Sequence, residues 1–113
     1  GVSAREAQEA RALICGMIAC IDDAIGAVLG ALDRSGKRDD TVVIFTSDHG
    51  DHLGDHRLML KGAEQYQSIV KVPFIWSDPQ AKSQPKRTGA MASTMDIGST
   101  VLASARARRS LIA

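Results

Sequence analysis

The feature that most constrains this chain is Thr41-Val42-Val43-Ile44-Phe45-Thr46, six β-branched or apolar residues with no alternation between faces. A strand with one wet face alternates, whereas an unbroken apolar run suits a strand covered on both faces, as in parallel sheets flanked by helices. The segment before it has a helical pattern. Ile14, Ile18, Ile21, Ile25, Val28 and Leu32 recur at steps of four and three and trace one apolar stripe. Ser3 followed by Glu6 predicts a capping-box start, and Gly36 a C-terminal stop. A helix, a polar turn from Lys37 to Asp40 and a buried strand make half of a crossover unit. The predicted class is therefore α/β with a mostly parallel central sheet. Gly16, Gly26 and Gly30 each cost about 1 kcal/mol relative to Ala inside a helix, so this helix is expected to lie close against another element.

A second, shorter strand is expected over Val72 to Trp76, where Pro73 near its start confines it to a first-residue or edge position. Ser77 to Gly89, rich in Pro, Lys, Gln and Ser, reads as a surface loop, and about Asp96 to Ala107 as a helix of modest amphipathicity. A chain of 113 residues is one domain at most, thin for a whole α/β enzyme, so residues 1–113 are expected to form a single, incomplete domain. The net charge of +1 gives no electrostatic reason to expect nucleic acid or an acidic membrane as partner. Arg106, Arg108 and Arg109 read as a solvated helix face or tail. No uninterrupted apolar run approaches the ~20 residues that cross a bilayer. Cys15 and Cys20 stand five apart on different helix faces, a spacing of neither a redox nor a zinc pair; both read as small packing residues.

The chemistry is concentrated just past the buried strand. Ser47-Asp48-His49-Gly50-Asp51-His52-Leu53-Gly54-Asp55-His56 holds every histidine of the chain. Ligands of open α/β sheets bind at the carboxyl ends of strands. Asp offers a hard anionic oxygen and His a neutral imidazole nitrogen, a mixture suited to a divalent metal. A lone Asp-His pair is more often a cap or a turn; three such pairs within nine residues at a strand's end favour a metal site. Gly50 and Gly54 let the backbone turn sharply past the ligands. Asp51 and Asp55 read as turn residues whose carboxylates bond nearby amides, and His52 as an exposed surface residue.

Thr41-Val-Val-Ile-Phe-Thr-Ser-Asp-His-Gly-Asp-His-Leu-Gly-Asp-His-Arg-Leu-Met-Leu-Lys-Gly, followed by Val72-Pro-Phe-Ile-Trp, resembles the sulfatase family within the alkaline phosphatase superfamily. Ile21-Asp22-Asp23-Ala24-Ile25-Gly26 is similar to the family's preceding helix, and Met95-Asp96-Ile97-Gly98-Ser99-Thr100 to a later one, with Ser99 where proline is usual. The resemblance covers nearly the whole chain and weakens after Leu102. It implies the C-terminal part of a catalytic domain built as an α/β/α sandwich. It also implies that Asp48 and His49 coordinate a divalent metal ion, with calcium first and manganese or magnesium as alternatives. Lys61, twelve residues past His49, would contact the anionic head and leaving-group oxygen of the ester. For that lysine, stabilisation of charge developing in the transition state is the matching physics; an ordinary surface lysine is the plain alternative. His56 is expected to support the substrate side. Around Tyr66, Gln67 and Ser68 the acid that family members often carry is missing.

The resemblance further implies a small-molecule sulfate ester as substrate and a formylglycine nucleophile made from Cys or Ser in a Cys/Ser-x-Pro-x-Arg motif. Neither Cys15-Gly16-Met17 nor Cys20-Ile21-Asp22 fits it. Ser83-Gln84-Pro85-Lys86-Arg87 satisfies the bare pattern, but it lies downstream of the Asp-His pair in a polar loop and reads as a decoy. The nucleophile and the remaining acidic ligands are thus expected upstream and are not encoded here. Two further readings stand beside sulfate ester hydrolysis: a phosphonate or phosphodiester hydrolase on the same scaffold, and an inactive fragment acting as an interaction module. A homo-oligomer is compatible with all three.

Overall fold

The computed structural model describes residues 1–81 and 87–109. The chain divides into two compact units, Gly1–Lys82 and Ser83–Ala113. The first runs α1 (Ala4–Arg34), a 3-10 turn (Arg38–Asp40), β1 (Val43–Thr46), a 3-10 turn (Asp55–Arg57), α2 (Gln67–Val70) and β2 (Phe74–Ser77), and the second carries α3 (Asp96–Arg109).

Helix α1 begins and ends where its sequence says it should. The Ser3 hydroxyl accepts the Glu6 amide and the Glu6 carboxylate accepts the Ser3 amide, closing the capping box. At the other end Ser35 caps the last turn and Gly36 takes a φ of +68°, the left-handed geometry that ends helices at little cost in glycine. Its stripe is only partly covered: Ile14, Ile25 and Leu32 are half-buried, while Ile18, Ile21 and Val28 are exposed. Cys15 and Cys20 are both exposed, so they do not pack as expected. Nor does any described residue crowd Gly16 or Gly26, where an added Cβ would meet nothing within 4 Å. Among the described residues, the close approach those glycines suggested is absent. As a whole α1 has the length and apolar content of a membrane-crossing helix, a property core helices share. Its adjacent Asp22 and Asp23 oppose that reading, each costing ~3 kcal/mol at the centre of a spanning helix.

The strands form where expected, with β2 starting at Phe74, just past Pro73. Their pairing does not by itself show the expected, mostly parallel sheet. β1 and β2 are antiparallel, with Val43 opposite Ser77 and Thr46 opposite Phe74, and among the described residues they make a sheet of two. The physical reason lies in the connection. A parallel return needs a crossover element, whereas the segment between these strands holds only two short helical turns and folds back on itself. Val43 and Ile44 are half-buried and Phe45 is exposed, so β1 is not covered on both faces within this chain. A groove of about 630 Å³ runs between α1 and this sheet, lined by Ile21, Ile25, Val28, Val43, Phe45 and Ile75.

In the second unit, Asp96 opens α3 by accepting the Ser93 amide at 3.1 Å. The helix starts at the expected residue and runs two residues past the expected end. Arg106 is exposed on it; the side chains of Arg108 and Arg109 lie outside the described residues. So does the Ser83-to-Lys86 part of the decoy motif.

Candidate functional site

The segment from Ser47 to Val70 is held by backbone hydrogen bonds arranged like rungs. The amides of Gly50, His52 and Gly54 donate to the carbonyls of Ile69, Leu60 and Leu58, each at 2.8 Å. The chain therefore leaves β1, turns out to the tip at Asp55–Arg57 and returns past Lys61. The closeness is tight enough to demand glycine. A Cβ at Gly50 would overlap the Ser68 carbonyl, and one at Gly54, where φ is +98°, would overlap Ala7 of α1. Ala7 is one of the two buried apolar residues in the described chain, and Arg11 of the same helix donates to the Leu53 carbonyl at 2.8 Å. The N-terminal turns of α1 thus back the loop. Leu53, His56, Arg57 and Leu60 all have positive φ, a local strain that a well-determined surround must hold in place.

Within this frame Asp48, His49 and Lys61 converge. The His49 Nε2 lies 2.9 Å from Lys61 Nζ and 3.5 Å from Asp48 Oδ2. Its Nδ1 lies 3.0 Å from the Gly50 carbonyl oxygen, which can only accept. That contact places the ring proton on Nδ1 and the lone pair on Nε2, where it accepts from the Lys61 ammonium beside Asp48. The Asp48 side chain is 83% exposed and open to a ligand, whereas the His49 side chain is 34% exposed and its Nε2 faces the Lys61 ammonium. Asp48 Oδ1 accepts the His49 amide at 2.9 Å and the Ser47 hydroxyl at 3.4 Å. The amide bond first, and the nearby imidazole second, hold the Asp48 carboxyl below its ordinary range.

As a donor set the pair fits part of a metal site. Donors on one ion at ~2.0–2.6 Å stand roughly 3 to 3.5 Å apart in neighbouring positions, which matches the separation of His49 Nε2 and Asp48 Oδ2. Lys61 brings a cation to the same lone pair. Among the described residues no group of three or more His, Cys, Asp or Glu side chains is placed to hold an ion.

His56 lies away from this trio's contacts. Its ring stacks on Tyr66 with centroids 3.8 Å apart, and its amide donates to Asp55 Oδ1 at 3.1 Å, the turn role expected of that aspartate. His52 corrects the expectation of exposure, being only 4% exposed. Its Nδ1 lies 3.1 Å from Ser68 Oγ, its Nε2 is 3.9 Å from Glu64 Oε2, and the Tyr66 ring stands edge-on at 5.8 Å. Sequence reading passed over Glu64 and the interior place of His52. The only signal available was the two-residue alternation of Gly50, His52 and Gly54, which share one side of the rungs.

The sulfatase family model matches residues 2–107. This chain belongs to the sulfatase family. It is 45% identical over 73 residues to the multifunctional alkaline phosphatase superfamily protein PehA of Trinickia caryophylli, a match covering 65% of this chain and 14% of that protein. It is 45% identical over 62 residues to the uncharacterized sulfatase YidJ of Escherichia coli, covering 55% and 12%. With an arylsulfatase of Clostridium perfringens it shares 40% identity over 78 residues, covering 69% and 16%. The chain therefore spans about a seventh of the length of the curated sulfatase-family relatives it matches. No solved structure gives a significant match. Membership of the family implies an α/β fold, of which the described residues show helices and a two-stranded antiparallel sheet.

Proposed function

We propose that this chain is part of the catalytic domain of a larger, metal-dependent sulfuric ester hydrolase, in which Asp48 and His49 bind the ion and Lys61 holds the ester's anionic group. In that domain β1 and β2 join a mostly parallel sheet within an α/β/α sandwich, and an upstream formylglycine supplies the nucleophile. The observation that carries the reading is the meeting of a carboxylate, an imidazole lone pair and an ammonium within 3.5 Å on an exposed loop at the end of β1. Family relatives described as sulfatases and arylsulfatase support the substrate class.

Each residue has a definite task. Asp48 brings negative charge that stays ionised into acidic solution because the His49 amide stabilises its carboxylate. His49 is oriented by the Gly50 carbonyl so that Nε2, and not Nδ1, presents the lone pair. The ion, when bound, neutralises charge on the transferring group. Lys61 reaches the same space from the returning limb of the loop, where its ammonium can stabilise negative charge developing on the ester's oxygens. Calcium suits the carboxylate and manganese or magnesium are the alternatives, the imidazole favouring the transition metal.

A second reading has its own support: the relative from Trinickia caryophylli is described as multifunctional. On that reading the same residues serve a phosphonate monoester or phosphodiester. Rates of the full-length parent on aryl sulfate, aryl phosphonate and bis-aryl phosphodiester substrates decide between them. Sulfate as the best substrate, with turnover abolished by Asp48→Ala, is the expected result; a clear preference for either phosphorus ester assigns the second reading.

A further inference from the structure

We propose that His52 is a positioning residue for the reacting cluster: its buried imidazole locks the limb carrying Asp48 and His49 to the limb carrying Lys61. This rests on the functional reading above and deepens it.

His52 is the point at which the separate parts of the site are tied together. Its amide donates to the carbonyl of Leu60, the residue before Lys61, and its carbonyl accepts the Asp55 amide, both at 2.8 Å. Its Nδ1 meets Ser68 Oγ at 3.1 Å. Ser68 in turn packs its carbonyl against Gly50, and the next carbonyl, that of Ile69, accepts the Gly50 amide. The Gly50 carbonyl is the group that fixes the His49 ring. A continuous path of bonds and contacts thus leads from the imidazole of His52 to the orientation of His49 on one side and to the base of Lys61 on the other.

Packing alone does not account for a histidine here. Its side chain is 2% exposed, and its Nε2 is sealed from solvent with no hydrogen-bond partner. The Glu64 carboxylate at 3.9 Å is beyond hydrogen-bond reach. Burying a ring nitrogen in this way is unfavourable, and leucine would fill the same space without that cost. What leucine lacks is the Nδ1 contact to Ser68. The His52 ring meets Ser68, Glu64 and Tyr66, none of which is Asp48, His49 or Lys61, so its effect passes through other residues.

The test uses the full-length, metal-loaded parent carrying His52→Leu, His52→Asn or Ser68→Ala, with Asp48→Ala and Lys61→Ala as references. Asparagine places an amide near where Nδ1 stands, and Ser68→Ala removes the partner while leaving the ring in place. Three quantities are read: kcat and KM on an aryl sulfate, Tm, and the ¹⁵N signals of His49 in ¹⁵N-histidine-labelled protein. His52→Leu is expected to lower kcat by roughly 10- to 100-fold, the range for losing a partner that orients a site ligand. KM should change little and the His49 signals should move. His52→Asn should recover most of the loss, and Ser68→Ala should reproduce it while adding nothing in the leucine background. Unchanged His49 signals in both His52→Leu and Ser68→Ala overturn the proposal, as does an asparagine variant no better than leucine. If His52→Leu does not fold, Ser68→Ala decides alone. If Asp48→Ala and Lys61→Ala leave turnover untouched, the functional reading falls, and the His49 signals still decide whether His52 positions that ring.

Discussion

At the scale of single residues, the consequential contact is the one between Lys61 Nζ and His49 Nε2 at 2.9 Å. If Lys61 stabilises charge that develops only in the transition state, Lys61→Ala in the parent lowers kcat by roughly 10²–10³-fold, the range for removing one preorganised charge-stabilising group. Steady-state rates on an aryl sulfate check this, and an unchanged kcat excludes the lysine from the chemistry. Asp48 yields a pH prediction of definite sign. Its carboxyl is held below the ordinary range by the His49 amide and then by the nearby imidazole, so the contribution of that bond is present above the unfolded value. It is lost as pH falls through the lowered folded value. A ¹³C titration of the Asp48 carboxyl should give a midpoint below ~3.9, the ordinary aspartate value; a midpoint at or above it means the amide bond does not persist in solution.

These residues were legible in the sequence for different reasons. Asp48 and His49 follow directly from a strand that ends at Thr46, and Lys61 from its motif spacing. The interior place of His52 was not legible, because burial there depends on rungs between positions 50, 52, 54 and partners up to 19 residues away, from Gly50 to Ile69. No local propensity encodes such a pairing.

At the scale of elements, the ends of α1 were readable because caps are local chemistry. Ser3, Glu6 and Gly36 act within one turn of the position they mark. The direction of β2 was not readable, since it depends on the course of the whole connection. Two predictions belong here. Ser3→Ala should cost about 1 kcal/mol of helix stability. The Glu6 carboxyl is lowered chiefly by its bonds with the Ser3 hydroxyl and amide, so the capping box is intact above the unfolded glutamate value and opens as pH falls through the lowered one. Amide exchange at Glu6 and Ala7 should accelerate over that acidic interval in the native chain, and be fast throughout in Ser3→Ala.

The second concerns the seam between α1 and the loop. Gly54→Ala combines an unfavourable positive φ with overlap of Ala7, and overpacking of this kind costs about 1–3 kcal/mol. Adding Ala7→Gly should relieve the overlap, so that the double variant loses less than the two single changes together. Strict additivity in denaturant melts would show that the two residues do not touch.

At the scale of the whole molecule, the described chain has little interior. Ala7 and Ile69 are its buried apolar residues, while Leu13, Met17, Ile21, Val28 and Ile75 are each more than half exposed, several of them along the groove between α1 and the sheet. Contiguous apolar surface of this kind marks an interface, and the face that the unalternating β1 run predicted to be covered has no cover among the described residues. On the proposed reading the site is incomplete in the same sense: Asp48 and His49 would supply two side chains, whereas calcium takes roughly six to eight oxygen ligands. Both facts lead to one prediction about the 113 residues prepared alone. They should bind an apolar dye strongly, hold calcium or manganese only weakly by calorimetry, and turn over no aryl sulfate. Robust hydrolysis by that isolated chain, lost on Asp48→Ala, would show that a nucleophile lies within it, and the only stretch with the required pattern is Ser83 to Arg87. Ser83→Ala is then the deciding variant: with no upstream motif required, its rate falls to background, and otherwise the isolated chain is silent with or without the change.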